Sequence, residues 1–308
     1  MNKTRFGILA AVLAAATGFL TPAASAAPSA AVHPQGDTRA ATDFWTADAM
    51  RAATPLDNLL GTVGKSVQGL VRGGKPSIIP AAAANTGGPW TGGGKVTKTA
   101  GRVFFLFNGA KASCSGDAVT SGNKSVVITA GHCVKYQGSW HTNWVFVPGY
   151  DNGNAPYGEW AASQTLTTPQ WEADEDLNYD VGAAVVAPLN GQRLTDVVGS
   201  QGIAFNQQRD QDMYSFGYPA EGKYDGTTLD YCSGSTFTDF ISSDDHGMRC
   251  DMTGGSSGGP WFLNFDEGTG TGVQASVNSF GYTFLPGYMF GPYFGADVQN
   301  LYNAAQAK

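Results

Sequence analysis

The stretch MTGGSSGGPW (residues 252–261) contains two adjacent serines flanked on each side by a pair of glycines. Residues 255–259 satisfy the pattern Gly-x-Ser-x-Gly, which is typical of the nucleophile turn of α/β-hydrolases, where an acid and then a histidine follow the serine. No histidine follows Ser257 in this chain. The four histidines are His33, His132, His141 and His246. The stretch therefore argues against the α/β-hydrolase fold and predicts a base that precedes the serine.

His132 is the strongest candidate for that base. It lies in VVITAGHCV (residues 126–134), directly after a run of β-branched residues that predicts a strand, and it precedes a cysteine. We expect its imidazole at the end of that strand, on a short turn. The other three histidines lack such a context, because one lies in the N-terminal segment and two lie in polar stretches without a recognisable pattern.

An acid is needed to hold the imidazole in one tautomer and to stabilise the imidazolium that forms. The candidates lie in WEADEDLNYDVGAAVV (residues 171–186). Asp180 adjoins the apolar run 181–186, so its carboxylate can be buried and directed at the imidazole. The other acidic residues of this stretch are typical of a solvated loop. Asp180 is therefore the predicted partner of His132. The glycines beside Ser257 permit a tight turn that aims backbone N–H groups at one point, as a site that stabilises an oxyanion requires.

The hydrophobic pattern predicts an all-β fold from residue 102 onward. Short runs rich in β-branched and aromatic residues alternate with Gly, Asn and Asp clusters, a spacing typical of sandwiches and barrels. Examples are RVFFLF (102–107), SVVIT (125–129), WVFV (144–147) and GVQASV (272–277). The one convincing helical pattern in this part of the sequence is ADVQNLYNAAQ (296–306).

The N-terminal part of the chain is predicted to serve export. Lys3 and Arg5 precede an apolar run (6–20), and ASA (24–26) offers a cleavage site, so residues 1–26 resemble a secretory signal peptide. Residues 27–97 are rich in Ala, Gly and Pro and contain no cysteine. They are interpreted either as a removable pro-segment or as a flexible N-terminal extension. Helical spacing over 56–71 and a Pro- and Gly-rich linker over 73–94 are expected within them.

Charge and cysteine content restrict partners and compartment. Residues 98–308 contain 10 Lys or Arg against 21 Asp or Glu, so nucleic acid is not an expected partner. No later segment reaches the ~18 apolar residues of a membrane helix, so we expect no membrane association after signal cleavage. Four cysteines in an exported chain predict two disulfides, for which three pairings are possible. No CxxC pair or HExxH motif indicates a metal site.

These motifs together resemble those of the chymotrypsin-like serine peptidases, most closely the secreted bacterial branch that includes the glutamyl endopeptidases. They are TAGHC (129–133), YDVG (179–182) and GGSSGGP (254–260), and the resemblance spans about residues 101–302. It implies two six-stranded antiparallel β-barrels with a cleft between them and a C-terminal helix. We place the peptidase domain at 98–308, with barrel one over 98–190, barrel two over 191–295 and the helix over 296–306.

The resemblance also implies residue roles. His132 would be the general base and then acid, Asp180 would orient it, and Ser257 would attack the substrate carbonyl. The N–H groups of Gly255 and Ser257 would form the oxyanion hole. The implied disulfides are Cys114–Cys133 and Cys232–Cys250.

Three further residues are predicted to bind substrate. Asp251 lies six residues before Ser257, where trypsin-type enzymes carry the aspartate that receives Lys or Arg. Asn278 lies near the position of the specificity histidine of glutamyl endopeptidases, and Ser279 begins the strand that pairs with the substrate backbone. Cleavage preference is not predicted. Ser256 occupies the position of the aspartate that animal digestive enzymes pair with a new N-terminus, so that activation switch is not expected here.

The sequence thus predicts a secreted, extracellular serine endopeptidase that forms an acyl-enzyme. It would act on peptides or proteins as a monomer, with no metal or organic cofactor. Two alternatives remain open at this point: a catalytically silent secreted binding protein on the same fold, and an esterase that uses the same three residues.

Overall fold

The computed structural model describes residues 26–59 and 84–308. The predicted signal peptide, apart from Ala26, lies outside these ranges. So do residues 60–71 of the predicted helical stretch and residues 73–83 of the predicted linker. No helix in the described part of the chain has the length and apolar character needed to cross a membrane.

Strands dominate the range 84–308, whereas helices outnumber strands in the range 26–59. They are β1 (Ser29–Val32), β2 (Thr54–Pro55), β3 (Asn85–Pro89), β4 (Ala100–Phe107), β5 (Ala110–Ala118), β6 (Val126–Thr129), β7 (Lys135–Tyr136), β8 (Ser139–Trp140), β9 (Thr142–Pro148), β10 (Trp160–Thr167), β11 (Gly182–Val186), β12 (Gly202–Ile203), β13 (Asp212–Gly217), β14 (Asp230–Ser235), β15 (Phe237–Thr238), β16 (His246–Arg249), β17 (Pro260–Asp266), β18 (Thr271–Val277) and β19 (Tyr288–Gly291).

The described helices are short, apart from the first and the last. They are α1 (Gln35–Phe44), α2 (Ala47–Arg51), α3 (Leu56–Leu59), α4 (Val96–Thr99), α5 (Pro169–Asp174), α6 (Leu194–Val198) and α7 (Ala296–Gln306). Two 3-10 turns, Gly131–Cys133 and Leu177–Tyr179, lie next to strands β6 and β11. The predicted C-terminal helix is confirmed as α7, which buries Val298, Leu301 and Ala305.

Six strands close into an antiparallel barrel in the first half of the domain. Their order is β10-β11-β6-β5-β4-β9, and β9 pairs with β10 to complete the circle. The tight hairpin between β4 and β5 turns at Asn108-Gly109, where both residues have positive φ, as a two-residue turn favours. Large apolar side chains such as Phe105, Ile128 and Phe146 fill the barrel and are fully buried. The predicted all-β class is confirmed.

The second half of the domain consists of two sheets in which most strands pair antiparallel. The larger has the order β12-β18-β17-β13-β14-β3, with β12 joining in parallel, and the smaller has the order β15-β16-β19. Their shared core includes Met213, Met248, Trp261 and Met289. The loop that carries Ser257 enters strand β17, so its position is set by this core.

Strand β3 corrects the predicted linker. Its residues NTGGP were expected to connect domains because Gly and Pro break regular structure, yet they pair with β14 at the edge of the larger sheet. The following residue, Trp90, explains the docking. Its ring packs edge-on against Phe216, Tyr231 and Phe265, with ring centres 5.0–5.5 Å apart.

The N-terminal range 26–59 packs against the first barrel. Strand β1 pairs with β10, and β2 runs parallel to β5. Between them, α1 contacts β9 and β10, and the buried ring of Trp45 donates from Nε1 to the carbonyl of Asn143 at 2.7 Å. The predicted helical stretch begins as α3, which runs from Leu56 to Leu59.

Candidate active site

His132 and Asp180 lie side by side because their strands are paired. The 3-10 turn that carries His132 follows β6, Asp180 precedes β11, and the two strands pair with Gly182 opposite Thr129. Asp180 accepts a hydrogen bond from the His132 main-chain N–H at 2.8 Å through Oδ1. Its Oδ2 lies 2.7 Å from His132 Nδ1. A proton held on Nδ1 by this carboxylate leaves Nε2 as the basic nitrogen.

Ser279 completes the surroundings of the Asp180 carboxylate. Its hydroxyl donates to Asp180 Oδ2 at 2.6 Å, and both side chains are buried. A buried carboxylate is costly unless it is hydrogen-bonded, and three donors satisfy this one. The residue predicted to pair with the substrate backbone therefore also holds the candidate acid.

The pKa of His132 is raised above its ordinary value. Burial alone would lower it, but the charge of Asp180 and the hydrogen bond to that carboxylate outweigh the burial. The negative charges of Asp57 and Glu175 add to this effect. The ring therefore takes up a proton more readily than a free imidazole does.

His141 also supports the candidate base, although its polar sequence context gave no such indication. Its Nε2 donates to the main-chain carbonyl of His132 at 2.7 Å. Its ring stacks on Phe105, with ring centres 4.3 Å apart. Burial lowers the pKa of His141 to about 3, so the ring is neutral and holds the His132 turn as a fixed donor.

The loop before β17 separates the roles of its two serines. Ser256 is buried and donates from Oγ to the carbonyl of Thr253 at 2.7 Å, so its hydroxyl serves the loop itself. Both serines line a cleft, and the hydroxyl of Ser257 contacts Asp57 instead of the loop. The Ser257 carbonyl accepts from the main-chain N–H of Ser115 on β5 at 2.7 Å. Gly258 has φ +82°, and a Cβ there would lie 2.1 Å from Thr129 Oγ1, so only glycine fits.

The carboxylate of Asp57, in the N-terminal range, lies at the same loop. Its oxygens are 3.4 and 3.5 Å from Ser257 Oγ. The main-chain N–H of Gly255, one of the two predicted oxyanion donors, donates to Asp57 Oδ2 at 3.2 Å. Nε2 of His132 has no hydrogen-bond partner within the described ranges. The serine hydroxyl is thus directed to Asp57 in this structure, and no feature of the sequence singled Asp57 out.

Asn278, which was predicted to bind substrate, makes structural contacts. It is fully buried, and its amide bonds four groups of the protein interior. Its Oδ1 accepts from Ser215 Oγ at 2.7 Å and Trp261 Nε1 at 2.6 Å, and its Nδ2 donates to the carbonyls of Phe216 and Ser256 at 2.9 and 3.0 Å. These bonds hold the loop of Ser256 against β13.

Asp251 does line the cleft, together with Ser257 and Ser279, and the cleft has a volume of about 910 Å³. Its carboxylate is already paired. Lys223 Nζ lies 2.7 Å from Oδ2, and the hydroxyl of Tyr224 donates to Oδ1 at 2.5 Å. The charge that would attract a basic substrate side chain is therefore largely compensated.

Solved structures provide the decisive comparison. The protease Anisep from Arthrobacter nicotinovorans is 45% identical over 68% of this chain and 96% of its own, with a TM-score of 0.64. The thermostable serine protease AL20 from an extremophilic microorganism is 41% identical over 70% of this chain and 99% of its own, with a TM-score of 0.66. This chain belongs to the chymotrypsin-like serine peptidases. No protein-family model and no curated protein matches it.

A Glu endopeptidase in complex with MPD is a more distant neighbour of the peptidase. It is 19% identical over 67% of this chain and 90% of its own, with a TM-score of 0.53, so it supports the shared fold alone. Membership of the serine peptidases supports a hydrolase with peptide or protein substrates.

Two disulfides brace the peptidase around its cleft. Cys114 on β5 is bonded to Cys133, the residue after His132, and Cys232 on β14 is bonded to Cys250, the residue before Asp251. This is the pairing that the resemblance implied. Each bond closes a loop of similar size, with separations of 19 and 18 residues, and a loop of that length typically contributes about 3 kcal/mol to stability.

Proposed function

We propose that the protein is a secreted serine endopeptidase in which His132, Asp180 and Ser257 form the catalytic triad. The observation that carries the proposal is the pair of hydrogen bonds from His132 to the buried Asp180, at 2.7 and 2.8 Å, next to a serine loop that lines a large cleft. The fixed Nδ1 contact leaves Nε2 as the nitrogen that can accept a proton. Family membership supports the same chemistry.

The reaction begins when Ser257 Oγ attacks the carbonyl carbon of the scissile peptide bond. The hydroxyl proton passes to His132 Nε2, and Asp180 stabilises the resulting imidazolium. The carbonyl oxygen becomes an oxyanion, for which the N–H groups of Gly255 and Ser257 are the proposed donors. The C–N bond then breaks, and the proton on Nε2 goes to the leaving amine. The acyl group remains as an ester on Oγ.

Hydrolysis of this ester repeats the sequence with water. A water molecule gives a proton to His132 Nε2 as its oxygen attacks the ester carbonyl. The bond between the carbonyl carbon and Ser257 Oγ breaks, the proton returns to Oγ, and the carboxylic acid product leaves. These steps require no cofactor.

The proposed domain organisation keeps residues 1–26 as a signal peptide for export and places a pro-segment after residue 26. Strand β3 requires one change, because residues 85–89 belong to the larger sheet of the peptidase domain although they fall within the predicted segment 27–97. We therefore propose that the pro-segment ends before Asn85. An extracellular location agrees with the two disulfides.

Labelling by a fluorophosphonate, with peptide mapping by mass spectrometry, tests the assignment. The chain should be labelled at Ser257 and should hydrolyse a denatured protein substrate. Ser257→Ala should lose both properties, whereas the matched variant Ser256→Ala should keep the label. Peptidase activity that survives in Ser257→Ala, or a label that maps to Ser256, would refute the proposal.

A further inference from the structure

The N-terminal range reaches the candidate active site through its last described residues. Strand β2 (Thr54–Pro55) runs parallel to β5, with Pro55 opposite Ser113. The next residue, Leu56, is fully buried in the core of the first barrel. The buried side chain of Leu56 anchors the segment and so fixes the position of the next residue, Asp57.

Asp57 occupies the place where a substrate carbonyl would react. Its carboxylate lies 3.4–3.5 Å from the hydroxyl of Ser257 and accepts the N–H of Gly255 at 3.2 Å. The first contact engages the hydroxyl of the proposed nucleophile, while Nε2 of His132 has no hydrogen-bond partner in the described part of the chain. The second occupies a donor that the oxyanion would need.

The position of Asp57 is poorly explained as a stabilising contact. It lies close to Glu221, whose pKa is raised by burial and by the negative charge of Asp57, so the two carboxylates repel each other. Asp57 is itself only partly buried and could be solvated elsewhere. A carboxylate held beside another acid, and aimed at a serine and a backbone N–H, fits a blocking role.

We propose that residues 54–58 form a built-in inhibitor of the peptidase, in which Leu56 anchors the segment and the Asp57 carboxylate blocks Ser257 and the Gly255 N–H. This inference rests on the proposed function, because it takes Ser257 as the nucleophile. It gives the N-terminal range a specific role, since Ser257 of the intact chain reacts slowly for as long as Asp57 occupies the site.

The rate at which a fluorophosphonate labels Ser257 in the intact chain tests the inference. Four proteins are compared, each verified by mass to retain residues 54–58: the unaltered chain, Asp57→Ala, Asp57→Asn and the control Asp43→Asn. The control removes an exposed carboxylate from α1 of the same N-terminal range. Thermal unfolding confirms that each protein is folded.

Asp57→Ala should be labelled about 10- to 100-fold faster than the unaltered chain, the scale set by loss of a hydrogen bond to a charged group. Asp57→Asn keeps the shape but loses the charge, so its rate should fall between the two. Asp43→Asn should match the unaltered chain. Equal labelling rates in the unaltered chain and Asp57→Ala would refute the inhibition and leave the proposed function standing. If none of the folded proteins is labelled, the proposed function fails and the inhibition fails with it.

Discussion

The imidazole of His141 donates a hydrogen bond to the main-chain carbonyl of His132 across 2.7 Å, so one histidine fixes the backbone of the other. Removing this donor should let the His132 turn shift. We expect His141→Ala to lower kcat about 10- to 100-fold with little change in KM, because a small displacement of a reacting group has effects of this size. Steady-state kinetics with a peptide substrate measures both parameters.

The conservative variant His141→Gln provides the control for this prediction. Its amide can donate to the same carbonyl, so it should recover most of the lost kcat. Because burial holds the pKa of His141 near 3, neither variant should alter the pH profile of activity above pH 5. A fall in thermal stability with unchanged kcat would show that His141 serves the fold alone.

The protonation of His132 should depend on Asp57. The pKa of His132 is raised, and activity needs the neutral ring, so the labelling rate of Ser257 should increase as pH rises through that pKa. Asp57→Asn removes one of the charges that raise it and should shift the pKa downward, whereas Asp43→Asn should not. NMR titration of the His132 ring, in a Ser257→Ala background to prevent self-cleavage, gives the values. An unchanged pKa in Asp57→Asn would contradict the close approach of the two groups.

Asn278 should matter for stability and not for cleavage preference. Asn278→Ala removes four buried hydrogen bonds, among them the bond that Trp261 Nε1 donates to Asn278 Oδ1. The carbonyl of Ser256 keeps its bond from the N–H of Gly259. We expect the free energy of unfolding to fall by about 3 kcal/mol or more, since each buried unsatisfied group costs on the order of 1–3 kcal/mol. Urea unfolding measures this loss. A stable variant with altered cleavage preference would instead support the predicted substrate-binding role of Asn278.

The ion pair between Lys223 and Asp251 should suppress cleavage after basic residues. Lys223→Ala leaves the Asp251 carboxylate with Tyr224 as its remaining partner, and we expect cleavage after Lys or Arg to rise about twofold to fivefold, the scale of an exposed ion pair. A peptide-library digest in the Asp57→Ala background, with mass-spectrometric readout, measures the change.

Lys124→Ala is the matched control for the cleavage prediction. It removes another pair, with Asp196, that has the same 2.7 Å separation and similar exposure but does not line the cleft. The two variants should differ in cleavage preference and agree in stability. An identical cleavage pattern in both would show that Asp251 does not contact the substrate side chain.

Local patterns in the sequence predicted the arrangement around His132 well, because its contacts are set by neighbouring strands. An apolar run before His132 and another after Asp180 form the paired strands β6 and β11, and their pairing brings the two side chains together. It is harder to infer from spacing alone which face of a strand a residue occupies. Asn278 lies one residue beyond β18, and a count of residues after Ser257 does not reveal that its amide points into the core.

The contact of Asp57 could not be inferred from sequence patterns, because it joins residues 200 positions apart. Nothing in the local sequence around Asp57 marks it, and its location depends on where β2 docks on the barrel. Strand β3 was misjudged for a related reason. Its Gly- and Pro-rich residues were expected to form a linker, while the stabilising contacts come from the distant aromatic rings around Trp90.

The attachment of the N-terminal range through β1, α1 and β2 has a consequence for the timing of activation. A cut between residues 59 and 84 would break the chain but none of these described contacts. The product would be a two-piece complex in which the peptidase is still inhibited. Activation would then follow mass action, with a larger fraction of the pieces separated as the solution becomes more dilute. Release into a large external volume would itself act as the trigger.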